Sequence, residues 1–201
     1  MVTIKRKTIF DASVFSTLLY WISSFLLRLL GWRKEGELPN IPKYILIGAP
    51  HTSSWDFPIT LAYAFSYRVK VFWMGKDVLF RRPFGRIMRW LGGIPIDRAK
   101  SQNAVAQTIR IFNDIEKLVM IISPEGTRKK VKYWKTGFYN IAHGAKVPVL
   151  LGFLDFRRKA GGFGPIIFPT GDIAADMEKI RAFYAAITGK RPESSCHANI
   201  A

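Results

Sequence analysis

The sequence predicts an α/β fold, in which helices flank a mixed, largely buried sheet and an amphipathic helix stands at the N-terminus. Short continuous apolar runs bounded by turn residues recur along the chain, as in strands that are covered on both faces. Segments with helical periodicity separate these runs. Of the 201 residues 49% are hydrophobic, which is enough for one sizeable core, and no interior stretch resembles a linker.

The N-terminal segment is an apolar, uncharged run over residues 12–27 that follows the basic residues Lys5, Arg6 and Lys7. A helix of this length rises about 24 Å, short of the roughly 30 Å hydrocarbon core of a bilayer. A helical wheel places the polar side chains on one stripe and the apolar ones elsewhere. The polar stripe comprises Ser13, Thr17, Tyr20, Ser24 and Arg28. This pattern favours a helix that lies in the interface of a membrane, on its cytoplasmic face.

Three other interpretations of this segment stay open. A secretory signal would need a cleavage site of small residues, which the sequence from Gly31 to Lys34 does not resemble. A spanning helix would need Arg28 to extend its charge to the interface. A helix packed on the core of the protein is the third alternative. We divide the chain into an N-terminal helix and connector (1–40), a main domain (41–190) and a polar tail (191–201).

The remaining elements follow in order. Glycine and two prolines over residues 36–42 break the first helix. Apolar runs predict strands at residues 44–49, 69–74, 118–122, 147–153 and 166–168. Periodicity predicts helices at residues 55–65, 83–91, 101–117, 138–142 and 172–187, the first capped by Ser53 or Ser54. The glycines of residues 161–164 predict a tight turn before the last strand.

Charge and cysteine content narrow the function classes. Lys and Arg number 31 against 14 Asp and Glu, a net charge of +17, which implies a polyanionic partner: nucleic acid, an anionic membrane or a phosphorylated substrate. The one cysteine, Cys196, excludes an internal disulfide framework and a cysteine-based metal site, and it fits a reducing, cytoplasmic setting. No His, Cys or acidic cluster has the spacing of metal ligands, so we expect no metal site.

Polar residues follow two of the predicted strands at their carboxyl ends, where open α/β sheets place their ligand sites. The first group contains His51 and Asp56. On a regular helix these residues would point about 140° apart, but across a turn the carboxylate can fold back to the imidazole. A carboxylate bonded to one ring nitrogen leaves the other nitrogen free as a general base. No Gly-x-Ser-x-Gly motif is present, so we expect the base to activate a hydroxyl of the substrate.

The second group follows residues 118–122 and contains Glu125, Gly126 and Arg128, with Arg98 as an expected neighbour. An arginine fork binds phosphate with two hydrogen bonds, and a glycine lets backbone amides approach an anion closely. A general base beside a phosphate clamp is suited to acyl transfer onto a phosphorylated alcohol.

Three blocks of sequence, in their order and spacing, resemble the glycerolipid (lysophospholipid) acyltransferase family, which includes the bacterial 1-acyl-sn-glycerol-3-phosphate acyltransferases. The blocks are His51-Thr52-Ser53-Ser54-Trp55-Asp56, Gly93-Ile94-Pro95-Ile96-Asp97-Arg98 and Pro124-Glu125-Gly126-Thr127-Arg128. A fourth block departs from the family pattern, which has a second proline after the Val-Pro pair, whereas here Val147-Pro148 is followed by Val149, Leu150, Leu151 and Gly152. The family fold is an α/β sheet with flanking helices held at a membrane.

The resemblance implies a role for each matching residue. His51 resembles the general base of the family, and Asp56 resembles the carboxylate that orients it. Binding of glycerol phosphate is implied for the other two blocks, that is for Gly93, Asp97, Arg98, Glu125, Gly126, Thr127 and Arg128. The implied partners are a lysophospholipid acceptor, an acyl thioester donor (acyl-CoA or acyl carrier protein, as a co-substrate and not a cofactor) and an anionic membrane surface.

Two alternatives to this function stay open. The first is a basic binding protein for nucleic acid or anionic lipid, motivated by the net charge of +17. Against nucleic acid stand the apolar N-terminal segment and the acidic residues Asp56 and Glu125 within the predicted site, so we expect no nucleic-acid partner. The second alternative is the same acyl chemistry on another acceptor, such as a glycolipid hydroxyl or an amine.

Overall fold

One sheet organises the molecule. The computed structural model describes residues 6–96 and 101–195, and within them seven strands form a single sheet in the order β1-β7-β6-β2-β5-β3-β4. The strands are β1 (Arg33–Glu35), β2 (Lys43–Ala49), β3 (Val71–Lys76), β4 (Gly93–Ile96), β5 (Leu118–Ile122), β6 (Val149–Asp155) and β7 (Ala160–Ile167). β6 and β7 pair antiparallel, and every other neighbouring pair is parallel.

Helices cover both faces of this sheet. They are α1 (Ser13–Leu29), α2 (Asp56–Ser66), α3 (Gly85–Trp90), α4 (Ser101–Asp114), α5 (Gly137–Ala145) and α6 (Ile173–Tyr184). Alternate residues of β2 serve the two faces, as the period of a strand requires: Ile45 and Ile47 pack with α4, α5 and α6, whereas Tyr44 and Leu46 pack on the face of α2. The predicted mixed, buried sheet with flanking helices is therefore confirmed.

The glycines of residues 161–164 were expected to form a turn, and that prediction is wrong because they lie within β7. Here the missing side chains make room for neighbours. A Cβ on Gly162 would stand 1.8 Å from the carbonyl oxygen of Glu35 in β1, and one on Gly164 would stand 2.3 Å from the ring of Phe183. The actual turn between β6 and β7 precedes Ala160 and contains Lys159 at a φ of 47°.

The connector after α1 contributes to the sheet. β1 consists of three charged residues, so no apolar run predicts it. It is the edge strand of the sheet and pairs with β7, with Arg33 opposite Ala160. The hydroxyl of Tyr63 on α2 donates to the carbonyl of Arg33 at 2.8 Å. The proposed boundary at residue 40 stays a prediction, but part of the connector before it is a strand of the main sheet.

The N-terminal helix α1 packs on α2 with a narrow face and turns its bulky apolar side chains outward. Ser23 and Leu27 are buried, at 6% and 5% exposure. The large exposed side chains of α1 are Val14, Phe15, Leu18, Trp21, Ile22, Phe25, Leu26 and Leu29. Edge contact between the rings of Phe15 and Trp90 joins this surface to α3. Within residues 6–96 and 101–195, no helix combines the length and the apolarity that crossing a membrane requires.

Candidate active site

The candidate site lies at the carboxyl ends of β2 and β5, which are neighbours in parallel register. His51 follows β2 two residues after Ala49, and Glu125 follows β5 three residues after Ile122. Parallel strands present their carboxyl ends at one edge of a sheet, so the pairing brings the two loops together. The juxtaposition expected from the sequence is present.

His51 and Asp56 meet across the turn between β2 and α2. Nδ1 of His51 lies 3.1 Å from Oδ2 of Asp56, and their side chains are 30% and 6% exposed. The same Oδ2 accepts hydrogen bonds from the backbone N–H groups of Thr52 at 2.9 Å and Ser53 at 2.8 Å. Asp56 is the first residue of α2, and Trp55 holds the N-cap position, so the predicted capping by Ser53 or Ser54 is wrong.

The contact with Asp56 determines both the orientation and the tautomer of the His51 imidazole. A carboxylate beside Nδ1 favours the tautomer that carries a proton on Nδ1, and it stabilises the imidazolium that forms when Nε2 takes up another proton. Because two backbone N–H groups also hold the carboxylate, Asp56 cannot rotate away without losing hydrogen bonds in a buried place. His51 is thus arranged to accept a proton through Nε2.

Glu125, which follows β5, binds the loop that carries His51. Its Oε2 accepts a hydrogen bond of 2.7 Å from the backbone N–H of His51, and the residue is 3% exposed. Burial raises the pKa of Glu125 to about 7; the hydrogen bond from His51 lowers it and the charge of Asp56 raises it further. Glycerol phosphate binding was expected for Glu125, but the structure turns its carboxyl toward the backbone of His51 and away from solvent.

The other residues of the third sequence block face the cleft. Gly126, Thr127 and Arg128 line it together with His51. Arg128 donates through Nη1 to Oγ of Ser54, so its guanidinium is bonded to the loop that carries His51. Gly126 has a φ of 66°, a left-handed conformation that glycine adopts without strain. An arginine side chain and a general-base candidate therefore open into one space.

The cleft has a volume of about 1410 Å³ and two kinds of wall. Cationic residues form part of its lining, namely Lys76, Arg128, Lys129 and Lys135. Apolar side chains of α2, β3 and the segment after it form another wall: Phe57, Leu61, Trp73, Val78 and Leu79. A ligand with an anionic head and a long apolar chain would meet both walls.

Only Gly93, of the three residues predicted from the second sequence block, lies within the described part of the chain. Gly93 begins β4, at the end remote from the site edge, and a Cβ there would stand 2.6 Å from the ring of Trp73. The close approach of this ring gives Gly93 a packing role, and its implied contact with glycerol phosphate stays a prediction. Asp97 and Arg98 lie outside the described residues, as do Cys196 and His197 of the predicted tail.

Sequence reasoning missed two features of the site. The first is Ser54, expected to cap a helix, which instead accepts the hydrogen bond from Arg128. The second is Lys135, whose backbone N–H donates to the carbonyl of Pro124 at 2.9 Å, so that a residue beyond the third block returns to it. The feature of the sequence that could have indicated a role for Lys135 in the site is the basic run before it. Such a run ordinarily lies on a solvated surface. Within residues 6–96 and 101–195, no group of three or more His, Cys, Asp or Glu residues could hold a metal ion.

The chain is similar in sequence to a protein of known activity. The chain is 29% identical over 150 residues to the 1-acyl-sn-glycerol-3-phosphate acyltransferase of Streptococcus pneumoniae (strain ATCC BAA-255 / R6). The match covers 72% of this chain but only 56% of that relative, so the chain spans little more than half of the relative's length.

The fold has a counterpart among solved structures. The crystal structure of the 1-acyl-sn-glycerophosphate (LPA) acyltransferase PlsC from Thermotoga maritima matches with a TM-score of 0.56 at 18% identity, over 85% of this chain and 76% of that one. At this identity the match shows a common fold. A family model described as acyltransferase matches residues 33–150, which is more than half of the chain and includes both loops of the candidate site. The chain belongs to the acyltransferase family.

Proposed function

We propose that this protein transfers a fatty acyl group from an acyl thioester to the free hydroxyl of a lysophospholipid, most simply converting 1-acylglycerol-3-phosphate to phosphatidic acid. The observation that carries the proposal is the contact of 3.1 Å between His51 and Asp56, at a cleft that also receives Arg128. The names of the two relatives support this choice of acceptor. Acyl-CoA and acyl carrier protein remain alternative donors.

The reaction needs only one side chain to move a proton. Nε2 of His51 takes the proton from the acceptor hydroxyl as its oxygen attacks the thioester carbonyl. The tetrahedral intermediate collapses, the carbon–sulfur bond breaks and the thiolate leaves, taking a proton from the imidazolium. Asp56 stabilises that imidazolium throughout. No covalent enzyme intermediate and no cofactor take part.

The two walls of the cleft suit the two ends of the acceptor. Phosphate binds to Arg128, whose fork can donate two parallel hydrogen bonds beyond its contact with Ser54. Acyl chains lie against the apolar wall formed by α2 and β3, where burial of each methylene contributes about 0.8 kcal/mol.

Membrane association follows from the same proposal, because both lipids reside in a bilayer. The exposed apolar face of α1 inserts into the headgroup region, and the net charge of +17 favours an anionic leaflet on the cytoplasmic side. The expected absence of a nucleic-acid partner stays a prediction, and salt-sensitive binding to nucleic acid would contradict it.

The test is thiol release from a long-chain acyl-CoA, with and without lysophosphatidic acid, together with detection of phosphatidic acid by mass spectrometry. His51→Ala should lower turnover by about 10² or more while the thermal midpoint stays close to that of the wild type. His143→Ala is the matched control, because His143 lies in α5 and is exposed outside the cleft. If His51→Ala kept most of the acceptor-dependent release, the mechanism would be wrong.

A further inference from the structure

Lys135 is held against the turn that carries Arg128. The preceding residue, Trp134, is 3% exposed and packs its ring on Phe138 and Tyr184. From that anchor the backbone N–H of Lys135 donates to the carbonyl of Pro124 at 2.9 Å. The backbone of Lys135 is therefore fixed beside the loop after β5, although ten positions of sequence separate it from Glu125.

The side chain of Lys135 lies across Gly126. A Cβ built on Gly126 would stand 3.6 Å from Cδ, 3.5 Å from Cε and 3.8 Å from Nζ of Lys135. Gly126 itself leaves this side of the turn open, so the stem of the lysine can lie along it. Both residues line the cleft with His51 and Arg128. The ammonium thus reaches the surface that the acceptor phosphate would meet.

The charge of Lys135 is less engaged by protein groups than that of Arg128. Arg128 already donates to Ser54, whereas the ammonium of Lys135 has no hydrogen bond or ion pair among the residues whose side chains the structure describes, 6–95 and 104–195. A phosphate monoester carries about −1.5 to −2 charges at pH 7, more than one guanidinium neutralises. A flexible ammonium supplies the remaining charge without a fixed geometry.

We infer that Lys135 is a second phosphate ligand that makes this site selective for an acceptor carrying a phosphate monoester, an inference that rests on the proposed function. It is a binding residue and takes no part in proton transfer. The chemistry of its ligand is that of a dianionic phosphate next to a glycerol hydroxyl. An acceptor with a neutral head, such as a monoacylglycerol, gains nothing from this lysine.

The experiment compares two acceptors in the wild type and three variants. Lys135→Met removes the charge and keeps an apolar stem, Lys135→Arg keeps the charge, and Lys130→Met makes the same charge change at an exposed position outside the cleft. For lysophosphatidic acid we expect Lys135→Met to raise KM about tenfold with kcat within about twofold, since a charge-assisted contact is lost. Lys135→Arg and Lys130→Met should stay near the wild type, and KM for a monoacylglycerol should not change.

Three results would overturn the inference: an unchanged KM in Lys135→Met, an equal rise in Lys130→Met, or an equal rise for the monoacylglycerol. Failure of the proposed function has a different signature, in which the wild type itself transfers no acyl group to lysophosphatidic acid. Calorimetric titration with a soluble short-chain lysophosphatidic acid then decides about Lys135 alone. Binding that Lys135→Met loses and Lys130→Met keeps would support the phosphate site, and no binding by the wild type would refute it.

Discussion

Oε2 of Glu125 lies 2.7 Å from the backbone nitrogen of His51, so that a buried carboxyl at the end of β5 holds the loop at the end of β2. The other oxygen, Oε1, is buried without a hydrogen-bond partner among the described residues. A carboxyl placed in this way orients the backbone on which the general-base candidate stands. Its ionisation is therefore linked to the stability of the site.

We expect Glu125 to make the protein less stable as the pH rises from about 4.5 to about 7. Burial raises the pKa of Glu125 from its ordinary 4.5 to about 7 in the folded state. Between these values the folded chain holds a proton that the unfolded chain has released, so the free energy of unfolding falls with rising pH, by up to about 1.4 kcal/mol per unit. Glu125→Gln keeps an oxygen for the N–H of His51 and removes this titration.

Urea denaturation at several values between about pH 5 and 8 measures the effect, because it yields the free energy of unfolding at each. The curve of Glu125→Gln should be flatter than that of the wild type. Glu116→Gln, at an exposed position after α4, should keep the wild-type slope. Equal slopes in Glu125→Gln and the wild type would show that the carboxyl titrates alike in both states.

Gly162→Ala should destabilise the sheet at the pairing of β1 with β7. The new Cβ would lie 1.8 Å from the carbonyl oxygen of Glu35 and 3.1 Å from its nitrogen, so one strand must shift. Such a clash with backbone costs about 2 kcal/mol or more. In Gly137→Ala the nearest atom, on Val105, is 3.9 Å away, and this helical position should change stability by less than about 1 kcal/mol. Thermal midpoints of both variants check the prediction, and similar midpoints would contradict it.

The sequence predicted those strands that consist of apolar runs. The prediction failed for segments that become strands only because of contacts with residues distant in sequence. β1 is Arg33-Lys34-Glu35, with nothing apolar to indicate a strand, and it exists because β7 offers a bare backbone beside it. The glycines of residues 161–164 indicate a turn locally, whereas the rings of Tyr63 and Phe183 occupy the space above them. Local patterns do not contain such contacts.

Within the site, the sequence predicted proximity better than orientation. The spacing of His51 and Asp56 across a turn predicted their contact, and the order of strands placed Arg128 nearby. Burial decides which way a polar side chain points after a strand, and a sequence pattern does not show it. Glu125 was expected to face a ligand, but it is buried and faces the backbone of His51.

Binding to an anionic bilayer through α1 should depend on its outward apolar face. Trp21 and Phe25 are each 64% exposed, one helical turn apart on the side away from Ser23 and Leu27. Full burial of a large apolar side chain stabilises by about 1.5–3 kcal/mol, so replacing both with Ser should weaken binding to vesicles by about tenfold or more. Folding should be little affected, because both side chains are exposed.

Sedimentation with vesicles of phosphatidylglycerol and of phosphatidylcholine measures this binding. Phe168→Ser is the matched control, since Phe168 is also 64% exposed. It follows β7 beside the start of β6, at the end of the sheet opposite His51. Binding of the wild type should be tighter to the anionic vesicles and should fall as salt screens the basic residues. An equal loss of binding in Phe168→Ser and in the Trp21→Ser, Phe25→Ser double variant would mean that exposed apolar area in general, and not the face of α1, carries the attachment.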